Sequence, residues 1–474
     1  GPKHEMGICH LTALLPLTTR GGNDPFTAIG TLQGHAAIVL AAHHLNTGNG
    51  SIVSAVEGLR CPIRFDTAPL LDSQLDERVA MNHVIRLLTT QQQQQEQQST
   101  LQSNTIIGAS LSSSSTPLPP CAILGVYRSA VSMPTSILSS LQGIPQFSAL
   151  STSSKLDDIQ QFPLLGRFHP SDDGTAAAAI AYYTQLGVKH VAVLHTNDAY
   201  GNSYVDGLVA AAAAAAGQDR HHYQIQLVSV PIPYGVNSLQ TMQLIVRELK
   251  ATQFRYFFAI IFDTVHYDGL MTQAVEQGIA GTGRHHWLFS DGVGVARITQ
   301  QHRYRPKAPL LLATRGAGMI TAVGGIPGTS PTYDKLATAL VSLRNHPDDL
   351  AYLRSKLPPT FVSSTNKEEE EHLLSTPGLI APFMYDTVIG LGLAACRLAS
   401  ARMDKNQPLR LDGEAHFAET LWTSFEGASG KIALDPVTGT RLSSSATFSI
   451  TNFVQDVDDE SHSNRTHANI RIKG

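Results

Sequence analysis

The sequence predicts an α/β protein of two lobes, each a parallel sheet covered by helices. Three observations predict it. Short apolar runs alternate along the chain with helix-periodic stretches, the βαβα pattern of parallel sheets. The chain has 474 residues, too many for one small core, so two units follow. Hydrophobic residues make up 42% and charged residues 15%, the balance of a packed globular protein.

The strands come first. Runs at 8–16 (ICHLTALLP), 61–66 (CPIRFD), 121–126 (CAILGV) and 145–150 (PQFSAL) are short and apolar. Residues 131–141 read as a helix with Val131, Pro134, Leu138 and Leu141 on one face. Further strands are expected at 190–195 (HVAVLH), 224–230, 256–262 (YFFAIIF) and 286–290. Residues 205–216 end in seven consecutive alanines, a strong helix former. Residues 239–250 place Leu239, Met242, Ile245, Val246 and Leu249 on one helical face.

Three stretches interrupt this order. Gln91–Gln98 and the Ser/Thr-rich residues to 119 read as a low-complexity surface insertion. Ser363–Glu371 reads as a solvated loop, and the tail from Asp456 is polar. The opening Gly1-Pro2 reads as a scar of tag cleavage, so the expectation is an excised ectodomain whose natural start has been removed.

Charge and motifs exclude several classes. With 34 Lys+Arg against 38 Asp+Glu, no basic field exists to attract nucleic acid. No run approaches the roughly 20 apolar residues that span a bilayer. Gly390-Leu391-Gly392-Leu393-Ala394-Ala395 has a GxGxxA spacing but lies within a helical run, the wrong context for a dinucleotide. There is no GxxxxGK[ST] and no GxSxG elbow. The paired histidines, such as His43-His44 and His285-His286, form no HExxH. The acidic pairs Asp157-Asp158 and Asp172-Asp173 suit helix starts better than acid–base work. No catalytic residue, metal site or cofactor is expected.

Cys9, Cys61, Cys121 and Cys396 lack CxxC spacing, so structural zinc is not expected. Cys9, Cys61 and Cys121 each sit at or just before a strand start. A Cys9–Cys61 bridge and four buried thiols both fit. Asn49-Gly50-Ser51 and Asn464-Arg465-Thr466 are glycosylation sequons, consistent with secretion.

Ligands of open α/β sheets sit beyond the carboxyl ends of strands. Ser129, Thr152, Tyr200 and Asp291 follow expected strands there, and Asp172 opens a helix after the Pro170-Ser171 turn. Hydroxyls beside free N–H groups at a helix start suit a carboxylate. Aspartates suit an ammonium, and an aromatic ring can cover it. Taken singly, Ser129 and Asp172 read as helix caps, Thr152 as a loop hydroxyl, Tyr200 as a packed ring and Asp291 as a turn residue.

The stretch Gly125–Asp158 resembles the core of the type I periplasmic-binding-protein, or Venus-flytrap, ligand-binding region. So do Arg167–Asp172, His195–Gly201, Ser290-Asp291-Gly292, Tyr385–Val388 and Gly430–Asp435. The resemblance is closest to ectodomains of class C receptors such as metabotropic glutamate receptors. It implies a two-lobed fold joined by a multi-strand hinge. The first lobe would take 1–167 and 317–425. The second would take 168–316, with 426–474 returning through the hinge. Ser129 falls on the carboxylate-binding serine, and Ser151 and Thr152 on the segment that holds the amino-acid backbone. Asp172, Tyr200 and Asp291 fall on positions that meet the amino group. Asp263 falls on a further acidic position of the second lobe.

The departures point away from glutamate. The family's distal-carboxylate Arg and Lys correspond to Gly34 and Thr376. An unpaired distal carboxylate would be costly to bury, although Arg128 and His35 could compensate. A neutral or cationic α-amino acid is therefore expected, with Asp263 available to extra positive charge. The resemblance further implies an extracellular receptor domain without enzymatic activity. It implies a homo- or heterodimer through the first lobe, and membrane attachment by a downstream segment. The alternative is a free solute-binding protein that delivers an amino acid to a transporter.

Overall fold

The computed structural model describes residues 7–19, 25–89, 120–218, 224–262, 266–293, 308–313, 316–345, 347–358, 378–404, 411–453 and 469–472. The insertion after 90, the 363–371 loop, Asp263, Thr376, the second sequon and most of the tail lie outside them.

Two large sheets carry the fold. The first contains β1 (Gly7–Leu15), β2 (Ile63–Thr67), β3 (Leu71–Asp72), β4 (Pro120–Gly125), β5 (Gln146–Ser148), β6 (Leu165–Pro170) and β14 (Thr440–Arg441). Its order is β14-β6-β5-β4-β1-β2, with β3 also beside β1, and every pair in it is parallel. The second contains β7 (His190–Thr196), β8 (Gln226–Ile232), β9 (Tyr256–Ile260), β10 (His286–Phe289), β11 (Ala317–Val323), β15 (Thr447–Phe453) and β16 (Asn469–Ile472). Its order is β16-β15-β11-β10-β9-β7-β8, parallel apart from the β11–β15 and β15–β16 pairs. A small hairpin, β12 (Phe425–Gly427) with β13 (Gly430–Ile432), stands apart.

The chain passes between the sheets after β6, after β11 and before β15, which makes the two-lobed, multi-strand-hinge architecture expected from the sequence. The boundary at 317 differs. β11 pairs with β10 and β15 in the second sheet rather than opening a return to the first lobe. The return comes later, where the buried helix Ala381–Asp404 packs on α1 (Pro25–Thr47). Strand β6 was not legible as a strand because Arg167, His169 and Pro170 interrupt its apolar character, yet all six of its residues are buried.

The helices that bear on the site are α2 (77–89), α3 (Ser129–Ser140), α4 (Asp172–Gln185), α5 (Ala199–Gln218), α6 (Leu239–Ala251) and α7 (Asp268–Glu276). The α6 stripe of Met242, Ile245, Val246 and Leu249 is buried as expected, but Leu239 at its start is exposed. Helix α3 departs further. Leu141 is 73% exposed, whereas Ser132, Thr135, Ser136 and Ser139 are buried beside Val131. Their burial is tolerable because the hydroxyls of Thr135, Ser136 and Ser139 bond carbonyls within the helix, at 2.9, 3.0 and 3.1 Å.

The disulfides are Cys9–Cys121 and Cys61–Cys396, with Cα separations of 5.3 and 5.0 Å. Neither the Cys9–Cys61 bridge nor the free thiols occur. Cys9 pairs in register with Phe65, so Cys61 lies four residues short of it. That offset is about 13 Å along the strand, beyond the reach of a disulfide.

The hinge is tied by buried charges. Asp386, on the helix Ala381–Asp404, accepts from the Ala428 and Ser429 N–H groups at 2.6 and 2.7 Å and from Ser429 Oγ at 2.5 Å. Arg441 donates to the carbonyls of Ser429, Lys431 and Ser445 at 2.8–2.9 Å. Burial pushes the Asp386 carboxyl up to about 6.

Candidate functional site

The first wall of the site is the turn from β4 into α3. Gly125 has φ +107°, where a Cβ would meet Leu15 Cδ2 at 2.2 Å. Val126 follows at φ +62°, a left-handed conformation that is strained for a β-branched residue. Its carbonyl accepts the hydroxyls of Ser132, Ser148 and Ser151 at 3.2, 2.9 and 2.6 Å. Three donors on one oxygen hold the turn in place. Ser151 is thus brought to the site but its hydroxyl is engaged in this buttress. Ser129 is the first residue of α3 and is buried, and its Oγ accepts from the Ser153 N–H at 3.2 Å. The first turn of α3 leaves N–H groups without helical acceptors.

The second wall is the loop after β5. Buried Arg167 donates to the carbonyls of Ser151 and Ser153 at 3.1 and 2.8 Å, one on each side of Thr152. It also bonds Thr440 Oγ1 at 3.0 Å and pairs with Asp157. Thr152 is therefore fixed from beneath, and its carbonyl accepts the Asp172 N–H at 2.8 Å. Ser153 Oγ reaches the Ala199 carbonyl at 3.0 Å and joins this loop to the start of α5.

The third wall is acidic. Asp172 opens α4 and is 1% exposed. Ser203 Oγ donates to its Oδ2 at 3.1 Å, while its buried Oδ1 has no hydrogen-bond partner. Asp291 follows β10. The Tyr200 hydroxyl lies 2.5 Å from Asp291 Oδ1 and 2.7 Å from Ser290 Oγ, and it accepts the Gly292 N–H at 3.3 Å. Burial, and then the neighbouring Asp291 charge, push the Asp172 carboxyl well above the usual carboxylate range. The nearby Thr152 and Ser203 hydroxyls and Arg167 offset this in part. Burial pushes Asp291 up to about 6, against the hydrogen bond from Tyr200. Phe262 packs on the Tyr200 ring at 5.1 Å and Tyr204 meets it edge-on at 6.0 Å.

The structure thus brings Ser129, Thr152, Asp172, Tyr200 and Asp291 to one place between the sheets. Sequence reasoning missed Arg167 and Ser203 as supports. Arg167 lay inside the Arg167–Asp172 motif, where a buried arginine could have been suspected. Ser203 carries no local signal. Gly34 lies against the hydroxyl of Tyr127, and a Cβ there would sit 2.7 Å from that oxygen. Among the described residues, no cluster of His, Cys, Asp or Glu could hold a metal ion, and no helix is long and apolar enough to cross a membrane.

Residues 58–454 match the family described as "Receptor family ligand binding region". The chain is 26% identical over 148 residues to Taste receptor type 1 member 3 of Felis catus, covering 31% of this chain and 16% of that protein. It is 31% identical over 104 residues to Metabotropic glutamate receptor 6 of Rattus norvegicus, covering 22% of this chain and 12% of that protein. These matched stretches span less than a fifth of either relative. The two-lobed fold and a family match over most of the length lead to one assignment: the chain belongs to the receptor family ligand-binding region.

Proposed function

We propose that this domain senses an α-amino acid by closing its two lobes around it, as the extracellular part of a membrane receptor. The observation that carries the reading is the pair Asp172 and Asp291. Two carboxylates are enclosed together beside Tyr200, one oxygen lacks any donor, and both hold protons more tightly than usual. An ammonium would supply the missing donors and let both carboxylates ionise. Across the cleft, Ser129 and the free N–H groups of α3 offer donors to a carboxylate, with Thr152 beside them. An α-amino acid carries both charges, one carbon apart.

The side-chain end of the ligand is neutral or cationic in this reading. The helical position that would carry a distal-carboxylate arginine is Gly34, and the Tyr127 hydroxyl fills its space. Asp263 stands as a candidate partner for added positive charge. The disulfides Cys9–Cys121 and Cys61–Cys396 support an oxidising, extracellular setting, as does exposed Asn49 in its sequon. Exposed Ile85 on α2 and Ile137 and Leu141 at α3 support a dimer through the first lobe. Attachment to a membrane would come through a downstream segment.

Calorimetric titration against the common amino acids tests the reading. Binding of a neutral or basic amino acid, lost in Ser129→Ala and Asp291→Ala, is the expected result. Submicromolar glutamate binding would reject the specificity, and unchanged affinity in both variants would place the site elsewhere.

A further inference from the structure

We propose that Arg128 is an interlobe latch that holds the cleft closed before any ligand arrives. It rests on the two-lobed fold and not on the identity of the ligand. Arg128 caps α3 and belongs to the first lobe, one residue before Ser129. Its side chain nevertheless ends in the second. Nη2 pairs with Asp198 Oδ2 at 3.2 Å, and both side chains are 8% exposed. The guanidinium carbon stands 3.4 Å from the centroid of the Tyr234 ring. Glu77, on α2 of the same lobe as Arg128, takes Nη1 at 3.4 Å and aims the group across the cleft.

The receiving side is built before the arginine reaches it. Asp198 Oδ1 is occupied by Thr196 Oγ1 at 2.9 Å and by the Gly201 N–H at 3.0 Å, which leaves Oδ2 for Arg128. The Tyr234 ring is held edge-on against Phe262 at 5.5 Å, and Phe262 in turn packs on Tyr200. A planar guanidinium satisfies both partners at once, one by its edge and one by its face, which a lysine cannot do. An ion pair that is largely shielded from water is weakly screened by salt. Opening the lobes would part Arg128 from Asp198 and Tyr234 together. Without Arg128, Glu77 and Asp198 would be like charges facing across the cleft.

The latch therefore raises the closed fraction of the empty domain. A ligand that needs closure then binds with less loss, since apparent affinity scales with the competent fraction.

Small-angle X-ray scattering on the ligand-free protein tests this, with far-UV circular dichroism as a check on folding. Arg128→Ala and Asp198→Asn should each shift the radius of gyration upward, and the double variant should shift it no further. The asparagine in Asp198→Asn keeps the Oδ1 acceptor and its helix-start role, so this substitution removes the ion pair alone. Tyr234→Leu should move the radius in the same direction. An unchanged radius in Asp198→Asn, or in a folded Arg128→Ala, overturns the proposal. So does a double variant that shifts by the sum of the singles. If Arg128→Ala does not fold, Asp198→Asn decides alone.

Discussion

The Tyr200 hydroxyl lies 2.5 Å from Asp291 Oδ1 and also contacts Ser290, so a residue at the start of α5 is bound to the end of β10 ninety-one positions later. The contact partly stabilises the Asp291 anion, yet burial still holds that carboxyl near 6. This balance makes the empty site sensitive to pH.

The stability that Asp291 contributes should fall as pH rises. Asp291 goes from an ordinary value of 3.8 to about 6 in the folded protein. Between these values the folded state holds more protons than the unfolded one, so unfolding free energy declines with rising pH and then levels above 6. Urea denaturation of ligand-free parent and Asp291→Asn from pH 4.5 to 7.5 should show that decline as the difference between the two proteins, since buried neutral His35, His44, His169 and His266 act on both with the opposite sign.

Ligand affinity should move the opposite way. An ammonium prefers the ionised carboxylates, so binding of a neutral amino acid should tighten from pH 5 to 7 and release protons at the lower end. Calorimetry in buffers of different ionisation enthalpy measures that release. A flat profile would remove the acidic pair from the binding reaction.

Arg167→Ala should destabilise the domain by about 3–5 kcal/mol, because Asp157 loses its buried partner and two loop carbonyls lose their donor. Arg167→Lys should recover part of the stability. It should not recover full binding, since one ammonium cannot bracket Thr152 as the guanidinium fork does. Chemical denaturation and binding assays separate the two effects.

Gly34→Ala should cost about 1–3 kcal/mol, because the new Cβ would lie 2.7 Å from the Tyr127 hydroxyl. Tyr127→Phe in the same chain removes the oxygen it would meet and should restore much of the melting temperature. If the single variant melts with the parent, the turn has room that its geometry does not suggest.

Peptide mapping without reductant should recover Cys9 linked to Cys121 and Cys61 linked to Cys396, and no Cys9–Cys61 peptide. Removing the Cys61–Cys396 bridge, which closes 335 residues, should cost about 2–5 kcal/mol.

Much of the fold was legible because strand and helix periodicities are local. The apolar runs ending near Leu15, Gly125, Thr196, Ile260 and Phe289 became strands within a few residues of their expected limits. Ser129, Thr152, Tyr200 and Asp291 were legible as strand-end candidates because they follow such runs, and a parallel sheet puts those ends on one side. Strand β6 was hidden because the polar groups of Arg167 and His169 look exposed until their partners are known. The buried hydroxyl face of α3 was hidden for a related reason. Serines read as solvent-facing, yet those of α3 can be buried because carbonyls of their own helix take their hydroxyls.

By itself the sequence determined the alternation of elements, the two-lobe division in outline and the candidate residues at strand ends. The tertiary structure decided what each side chain is used for. Ser151 is spent on the Val126 carbonyl while the Ser129 hydroxyl takes the Ser153 N–H, although both are serines at strand ends. Cys9 found Cys121 because strand register, not spacing along the chain, sets which sulfurs can meet. Arg128 crosses to Asp198 because two lobes packed together bring opposite charges within 3.2 Å across seventy residues. Local chemistry chooses elements, and only long-range packing chooses partners.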